Sequence, residues 1–249
     1  MASVTMLPPV ALEWLVGSER ATVLLVGGAG GYASILSRAG HSVTVVDPSL
    51  DILRKVAMLT PGAHVIAGMP ESLPFDPSCF DVVLAVQNFH TFAPGLALGE
   101  WARVLKPHGR VALAYLTRDD SVPWVSKLKR IVQFYIPNAM SSDYGSYSAS
   151  ALSSAAYYTA VEKVSFRLWV PSTRTQLQEA ACQTPGAEDL DEDRRTRMLE
   201  EIAELYDLYA RIPDPLQLPY QIQCWRAQVD QSTLTTPLIP GNEGLTFSL

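Results

Sequence analysis

VLLVGGAGGYASILSRAGHSVTVVD, residues 23–47, is the stretch that decides the fold. Residues 23–26 are a short apolar run suited to a strand buried on both faces. Glycines crowd the next five positions, Gly27, Gly28, Ala29, Gly30 and Gly31. Glycine permits positive φ and carries no Cβ, so a ligand can approach the backbone there. Residues 32–38 then suit a helix whose first N–H groups face that ligand. Ala39 and Gly40 end the helix, and residues 43–46 read as a second buried strand. Asp47 closes that strand, 19 residues after Gly28 (47 − 28). A carboxylate so placed accepts hydrogen bonds from both hydroxyls of a ribose. The unit reads as a nucleoside-binding βαβ half, open as to the nucleoside.

Outward from it, strands are predicted at 63–67, 81–86 and 110–115, with helices starting at Ser49 and spanning 94–105. Ser49 is placed to cap its helix, and Leu50, Leu53 and Val56 recur at helical spacing. Five strands alternating with helices indicate a doubly wound, Rossmann-like α/β sheet, whose ligands bind beyond the carboxyl ends of the strands. Residues 121–162, rich in Ser, Ala and Tyr, are expected to form a helical cap or insertion of two helices split at Pro137 and Asn138. Strands at 166–170 and 218–226 and an amphipathic helix at 191–211, with Met198, Ile202, Leu205 and Leu208 on one face, complete the pattern. Residues 230–249 show little pattern and are expected to be partly irregular, and the whole of 1–249 reads as one domain.

Bulk properties narrow the function. The chain has 249 residues, 48% hydrophobic and 18% charged, which is globular rather than disordered. A net charge of −6 and a pI near 5.2 argue against a nucleic-acid partner. Cys79, Cys182 and Cys224 stand far apart, and the four histidines lack HExxH-like spacing, so no disulfide and no bound metal is expected. Residues 1–10 lack a basic, apolar secretion leader, and no apolar run approaches the roughly 20 residues that span a bilayer. The expectation is a soluble cytoplasmic protein with a small-molecule substrate, no membrane partner and an open oligomeric state, a homodimer included.

Two families share the glycine opening. Gly28, Gly30 and Ala33 fit the nicotinamide-dinucleotide spacing, but those enzymes need a Tyr-x-x-x-Lys pair. No lysine here follows a tyrosine by four; Thr159 precedes Lys163. The second resemblance runs further. Residues 68–81, GMPESLPFDPSCFD, with Leu73-Pro74-Phe75 and Phe80-Asp81, and residues 101–110, WARVLKPHGR, occur in order after the glycine turn. Together they resemble the class I S-adenosylmethionine-dependent methyltransferases, of the type 11 kind. Residues 86–92, 118–125, 166–169 and 218–226 are similar to a branch that includes trans-aconitate-type small-molecule methyltransferases.

The resemblance implies a seven-stranded, mostly parallel sheet with an antiparallel last strand, and S-adenosyl-L-methionine as cofactor. It places the cofactor against Gly27, Gly28, Ala29, Gly30, Asp47, Pro48, Met69, Pro70, Val86 and Gln87. Methyl transfer is an in-line displacement driven by alignment and exclusion of water, so a general base is optional. His90, after the fourth strand, is the candidate base. Arg118 is the candidate for an acceptor carboxylate, and Trp124, Tyr147 and Trp169 are candidates for an acceptor pocket. The chain departs from the family at Leu25, where an acid usually stands, at Ala29 in place of the middle glycine, and at Met69 in place of the acid that meets the adenine amino group. Those departures keep a second reading in play, a non-catalytic partner or ligand sensor on the same fold.

Overall fold

Apolar strands need cover on both faces, and the chain supplies it in two helical layers. The computed structural model describes residues 6–27, 30–137, 139, 144–211 and 215–233. Its strands are β1 (Thr22–Val26), β2 (Ser42–Asp47), β3 (His64–Ala67), β4 (Phe80–Val86), β5 (Leu105–Arg118), β6 (Glu162–Ser172) and β7 (Leu216–Gln228). They form one seven-stranded sheet in the order β3-β2-β1-β4-β5-β7-β6. The β1–β2, β2–β3, β1–β4 and β4–β5 pairs are parallel; β7 runs antiparallel to both β5 and β6. The Rossmann-like architecture expected from the sequence is therefore present, antiparallel last strand included. Strand order reverses between β1 and β4, and that switch point fixes where a ligand crevice lies.

Along β1, Val23 and Leu25 face one helical layer and Leu24 and Val26 the other, all four fully buried. The first layer holds α1 (Pro9–Val16), α2 (Gly30–Arg38) and α3 (Leu50–Leu59). The second holds α4 (Pro94–Val104) and α6 (Tyr144–Ser154), with Trp101 and Trp225 at its centre. A third cluster joins α5 (Pro123–Tyr135), α7 (Arg174–Cys182) and α8 (Glu192–Tyr209) to Leu218 of β7. The two helices of the 121–162 segment thus part company: α5 packs with α7 and α8, whereas α6 lies on the sheet beside α4. Among the described residues no helix is long and apolar enough to cross a membrane.

Two helical faces differ from expectation. Ser49 does cap α3, its Oγ accepting from the Ile52 N–H, and Leu53 and Val56 are buried, but Leu50 is exposed. In α8, Met198, Ile202 and Leu205 are buried while Leu208 is exposed. Both outliers sit in a terminal turn, where the helix runs past the element that covers it. The predicted turn at 106–109 falls inside β5. Phe80 pairs with Leu105 and Val82 with Arg110, so four residues of β5 (106–109) face the single residue Asp81. His108 takes positive φ there, and a Cβ on Gly109 would meet the Lys106 carbonyl oxygen at 2.8 Å.

The motifs that carry the family resemblance prove to be struts. Asp81 Oδ2 accepts from the Thr22 N–H (2.8 Å) and Oγ1 (2.6 Å), and Lys106 Nζ donates to both Asp81 oxygens at 3.0 Å. These bonds hold the Asp81 carboxyl below the usual carboxylate range, outweighing the opposing effect of burial. Arg103 donates to the Phe75 and Leu73 carbonyls at 2.8 and 3.1 Å and forks onto Glu100. Trp101 Nε1 donates to the Pro70 carbonyl at 3.0 Å.

Candidate active site

The carboxyl ends of β1, β2, β3, β4 and β5 present, in turn, Gly27, Asp47, Gly68 with Met69 and Pro70, Val86 with Gln87 and Asn88, and Arg118. Gly27 has φ +70°, and its N–H continues the ladder to the Val46 carbonyl at 2.8 Å. A Cβ on Gly27 would lie 2.3 Å from Asn88 Nδ2, so only glycine fits both the conformation and the space. Gly28 and Ala29 lie outside the described residues; Gly30 opens α2.

Asp47 is 4% exposed, and its Oδ1 accepts from the Ser49 N–H at 2.7 Å. Its backbone carbonyl takes the Gly68 N–H, tying β2 to the loop after β3. Pro48 beside it is exposed. Met69 is 53% exposed, whereas Pro70 is buried, lacks an N–H, and has its carbonyl bound by Trp101. Glu71, next in line, spends Oε1 on the Ala93 N–H (2.9 Å) and buries Oε2 without a partner.

Val86 is buried at the end of β4. Gln87 takes positive φ (67°), and its amide pairs with the backbone of Leu116: Nε2 donates to the carbonyl and Oε1 accepts from the N–H, both at 3.0 Å. That side chain extends the β4–β5 ladder past the strand end. Asn88 Nδ2 donates to the Val26 carbonyl at 2.7 Å, and its Oδ1 is buried with no hydrogen bond.

His90 lies in a single 3₁₀ turn, Phe89–Thr91. Its N–H donates to the Tyr115 hydroxyl at 3.0 Å, and its Nδ1 stands 3.2 Å from the same oxygen. Ser148 of α6, fully buried, donates to that hydroxyl at 2.9 Å. The phenol therefore knits β5, α6 and the turn after β4 together. Burial pushes the His90 imidazole below its ordinary value, which keeps it neutral near pH 7. Tyr115 and Ser148 escape a sequence reading because one sits inside an apolar strand and the other in a small-residue helix.

Arg118 ends β5. Its neighbours' charges are taken elsewhere: Asp119 pairs with Arg167 at 3.3 Å, and Asp120 with Lys129 at 2.7 Å. The Arg118 Nε is buried and bonds to nothing. The three aromatic candidates do not converge. Trp124 is buried in the α5, α7 and α8 cluster, whereas Tyr147 on α6 and Trp169 on β6 are half exposed, and no ring contact joins any two of them among the described residues. A cleft of about 360 Å³ opens between α4 and α6, lined by Pro94, Leu98, Ala151 and Tyr157 among others; no sequence-derived candidate lines it.

Comparison with known proteins agrees with this layout. A methyltransferase-domain family matches residues 24–113, from inside β1 into β5. Over those residues the chain is similar to a methyltransferase domain. An uncharacterized methyltransferase of Mycobacterium tuberculosis is 36% identical over 126 residues, covering 50% of this chain and 52% of that protein. An uncharacterized methyltransferase-like protein of Schizosaccharomyces pombe is 40% identical over 100 residues, 40% of this chain and 38% of that one. The chain spans about half the length of the curated relatives it matches. A solved structure of a proposed type II methyltransferase from Anaeromyxobacter dehalogenans superposes with a TM-score of 0.62 at 19% identity, over 89% of this chain and 96% of that one. The sequence likeness thus runs from β1 into β5, and the fold likeness extends to most of the chain.

Proposed function

We propose that the protein transfers a methyl group from S-adenosyl-L-methionine to a small-molecule acceptor. The observation that carries the proposal is Asp47: a buried carboxylate at the carboxyl end of β2, beside a positive-φ glycine turn, in a methyltransferase domain. Its setting suits the ribose hydroxyls, with Gly27 and the α2 amino terminus flanking the crevice and Pro48 and Met69 offering apolar surface to a base. The cofactor, when bound, supplies an electrophilic methyl group on a sulfonium.

The chain's own part is positioning. Gln87 and Tyr115 hold the turn that carries His90, the candidate to orient the acceptor or accept its proton, whose imidazole burial keeps below its ordinary value. Arg118, whose Nε is buried and unbonded, suits a carboxylate on the acceptor. Native mass spectrometry of the freshly purified chain checks the class: retained S-adenosylmethionine or S-adenosylhomocysteine supports it, and retained nicotinamide dinucleotide sinks it.

A second reading, a ligand-binding protein without catalysis, draws on two positions. Leu25 is fully buried in the apolar core and Met69 is exposed, and neither apolar side chain offers a polar contact to a cofactor. Turnover of any acceptor with wild-type protein, lost in Asp47→Ala, would end that reading.

A further inference from the structure

We propose that the outer edge of β6 is a self-pairing interface, where two copies of the chain join β6 to β6 in antiparallel fashion about a two-fold axis at Phe166. The inference is independent of the methyltransferase reading, since no cofactor or acceptor takes part in it.

The sheet ends in two edge strands, β3 and β6. β3 is four residues long, whereas β6 runs for eleven, and among the described residues the only strand paired with it is β7. An edge of that length presents a row of backbone donors and acceptors, which folded proteins blunt or cover.

The neighbouring strand reveals which residues carry that row. Along a strand the N–H and C=O of one residue point to the same side, and successive residues alternate. The Pro219 carbonyl accepts from the Asp119 N–H, and the Val229 N–H donates to the Gly109 carbonyl, so odd-numbered residues of β7 turn toward β5. Tyr220, Ile222 and Cys224 therefore turn toward β6, where they stand opposite Leu168, Phe166 and Val164. Those three residues bond β7, and the backbone groups of Lys163, Ser165, Arg167 and Trp169 point outward. Pro171 falls in the outward set as well, where a missing N–H costs the sheet nothing.

One register suits a second copy. With the axis at Phe166, Ser165 pairs with Arg167 and Lys163 with Trp169 across the interface, and all four supply an N–H. Phe166 meets its own copy and Val164 meets Leu168 as narrow pairs, in which side chains stand closest. These apolar residues are half-buried against their own sheet, so pairing extends their cover. Trp169 is 51% exposed on the other face. Charge does not guard the edge: Lys163 Nζ lies 5.3 Å from the centre of the Trp225 ring, and Arg167 pairs with buried Asp119 at 3.3 Å. In the pair Lys163 would lie between Trp225 and the incoming Trp169. An axis at Arg167 would oppose like charges, and one at Leu168 would bring Pro171 into the ladder.

Sedimentation equilibrium of the whole chain over a dilution series tests this. Wild type should reach about twice 27.2 kDa at the concentrated end. Ser165→Pro removes an outward N–H without breaking a bond to β7, so it should stay at 27.2 kDa with unchanged circular dichroism. Phe166→Cys should form a covalent dimer under mild oxidation, because the axis residue meets itself; wild type and Val164→Cys should not. The cysteine pair keeps the proposal open to refutation even if Ser165→Pro unfolds. A wild type at 27.2 kDa throughout, a dimer that persists in well-folded Ser165→Pro, or cross-linking of Val164→Cys in place of Phe166→Cys would each overturn it.

Discussion

Two regions of the molecule treat polar groups in opposite ways. At the amino ends of β1, β4 and β5 and on α4, several residues are saturated with partners: Thr22, Asp81 and Lys106 bond to one another, and Arg103 serves Leu73, Phe75 and Glu100 at once. Along the carboxyl edge, Glu71 Oε2, Asn88 Oδ1 and Arg118 Nε are buried and unbonded. They are three of the four such side-chain atoms among the described residues; the fourth, Thr60 Oγ1, belongs to the residue that ends α3. A frame selected for stability pairs its buried polar groups, whereas a site selected for a ligand leaves some of them waiting. The difference teaches that the same stretches hold both scaffold and candidate site residues, since Glu71 lies within 68–81, Asn88 within 86–92 and Arg118 within 118–125.

Substitutions on the two sides should therefore read out differently. The largest effect on stability is expected from Trp101→Ala, which empties a fully buried indole site and frees the Pro70 carbonyl; a loss of about 3–5 kcal/mol should appear in denaturant unfolding. Asp47→Ala should leave the melting temperature within a few degrees yet weaken S-adenosylhomocysteine binding by about 1.5–3 kcal/mol, since it removes a charged acceptor from the edge. A comparable collapse of the fold instead would move Asp47 from site to frame.

Asp81→Asn should cost about 1–2 kcal/mol, kept small because the side chain is 41% exposed. The sign with pH follows from its lowered value. The folded carboxyl ionises more readily than the unfolded one, so its stabilisation is full above the unfolded value, near 3.8, and is lost as pH falls through the lower folded value. Acid unfolding monitored by circular dichroism should show that loss in wild type and not in Asp81→Asn. The smallest change is expected from Arg118→Leu: stability unchanged or raised by up to about 1 kcal/mol, because a buried, unbonded donor is removed. A clear destabilisation there would show that the carboxyl edge is frame after all.

Fold and site were legible in the sequence to different depths. Strands β1 to β5 announce themselves because strands buried on both faces need unbroken apolar runs, and Asp47 follows from its place after the second of them. Leu50 and Leu208 misled because helical periodicity does not report where the covering element stops. Asn88 and the Tyr115–Ser148 pair were hidden for another reason. Their roles depend on contacts across 62 and 33 residues of chain, which no local pattern encodes. One signal did exist for Asn88: it is a polar residue close behind a continuous apolar strand at the switch point. Of the aromatic candidates, Trp124 is buried in a helical cluster, whereas Tyr147 on α6 and Trp169 on β6 are half exposed.

The central claim is that the carboxyl edge binds an S-adenosyl cofactor through Asp47 while the motif network merely supports it. Calorimetric titration of S-adenosylhomocysteine into the whole chain, wild type beside Asp47→Ala, tests this most directly. The account predicts one saturable site in wild type, weakened about tenfold or more in a variant whose melting temperature is nearly unchanged. Absence of binding to well-folded wild type, or equal affinity in the two proteins, would contradict it.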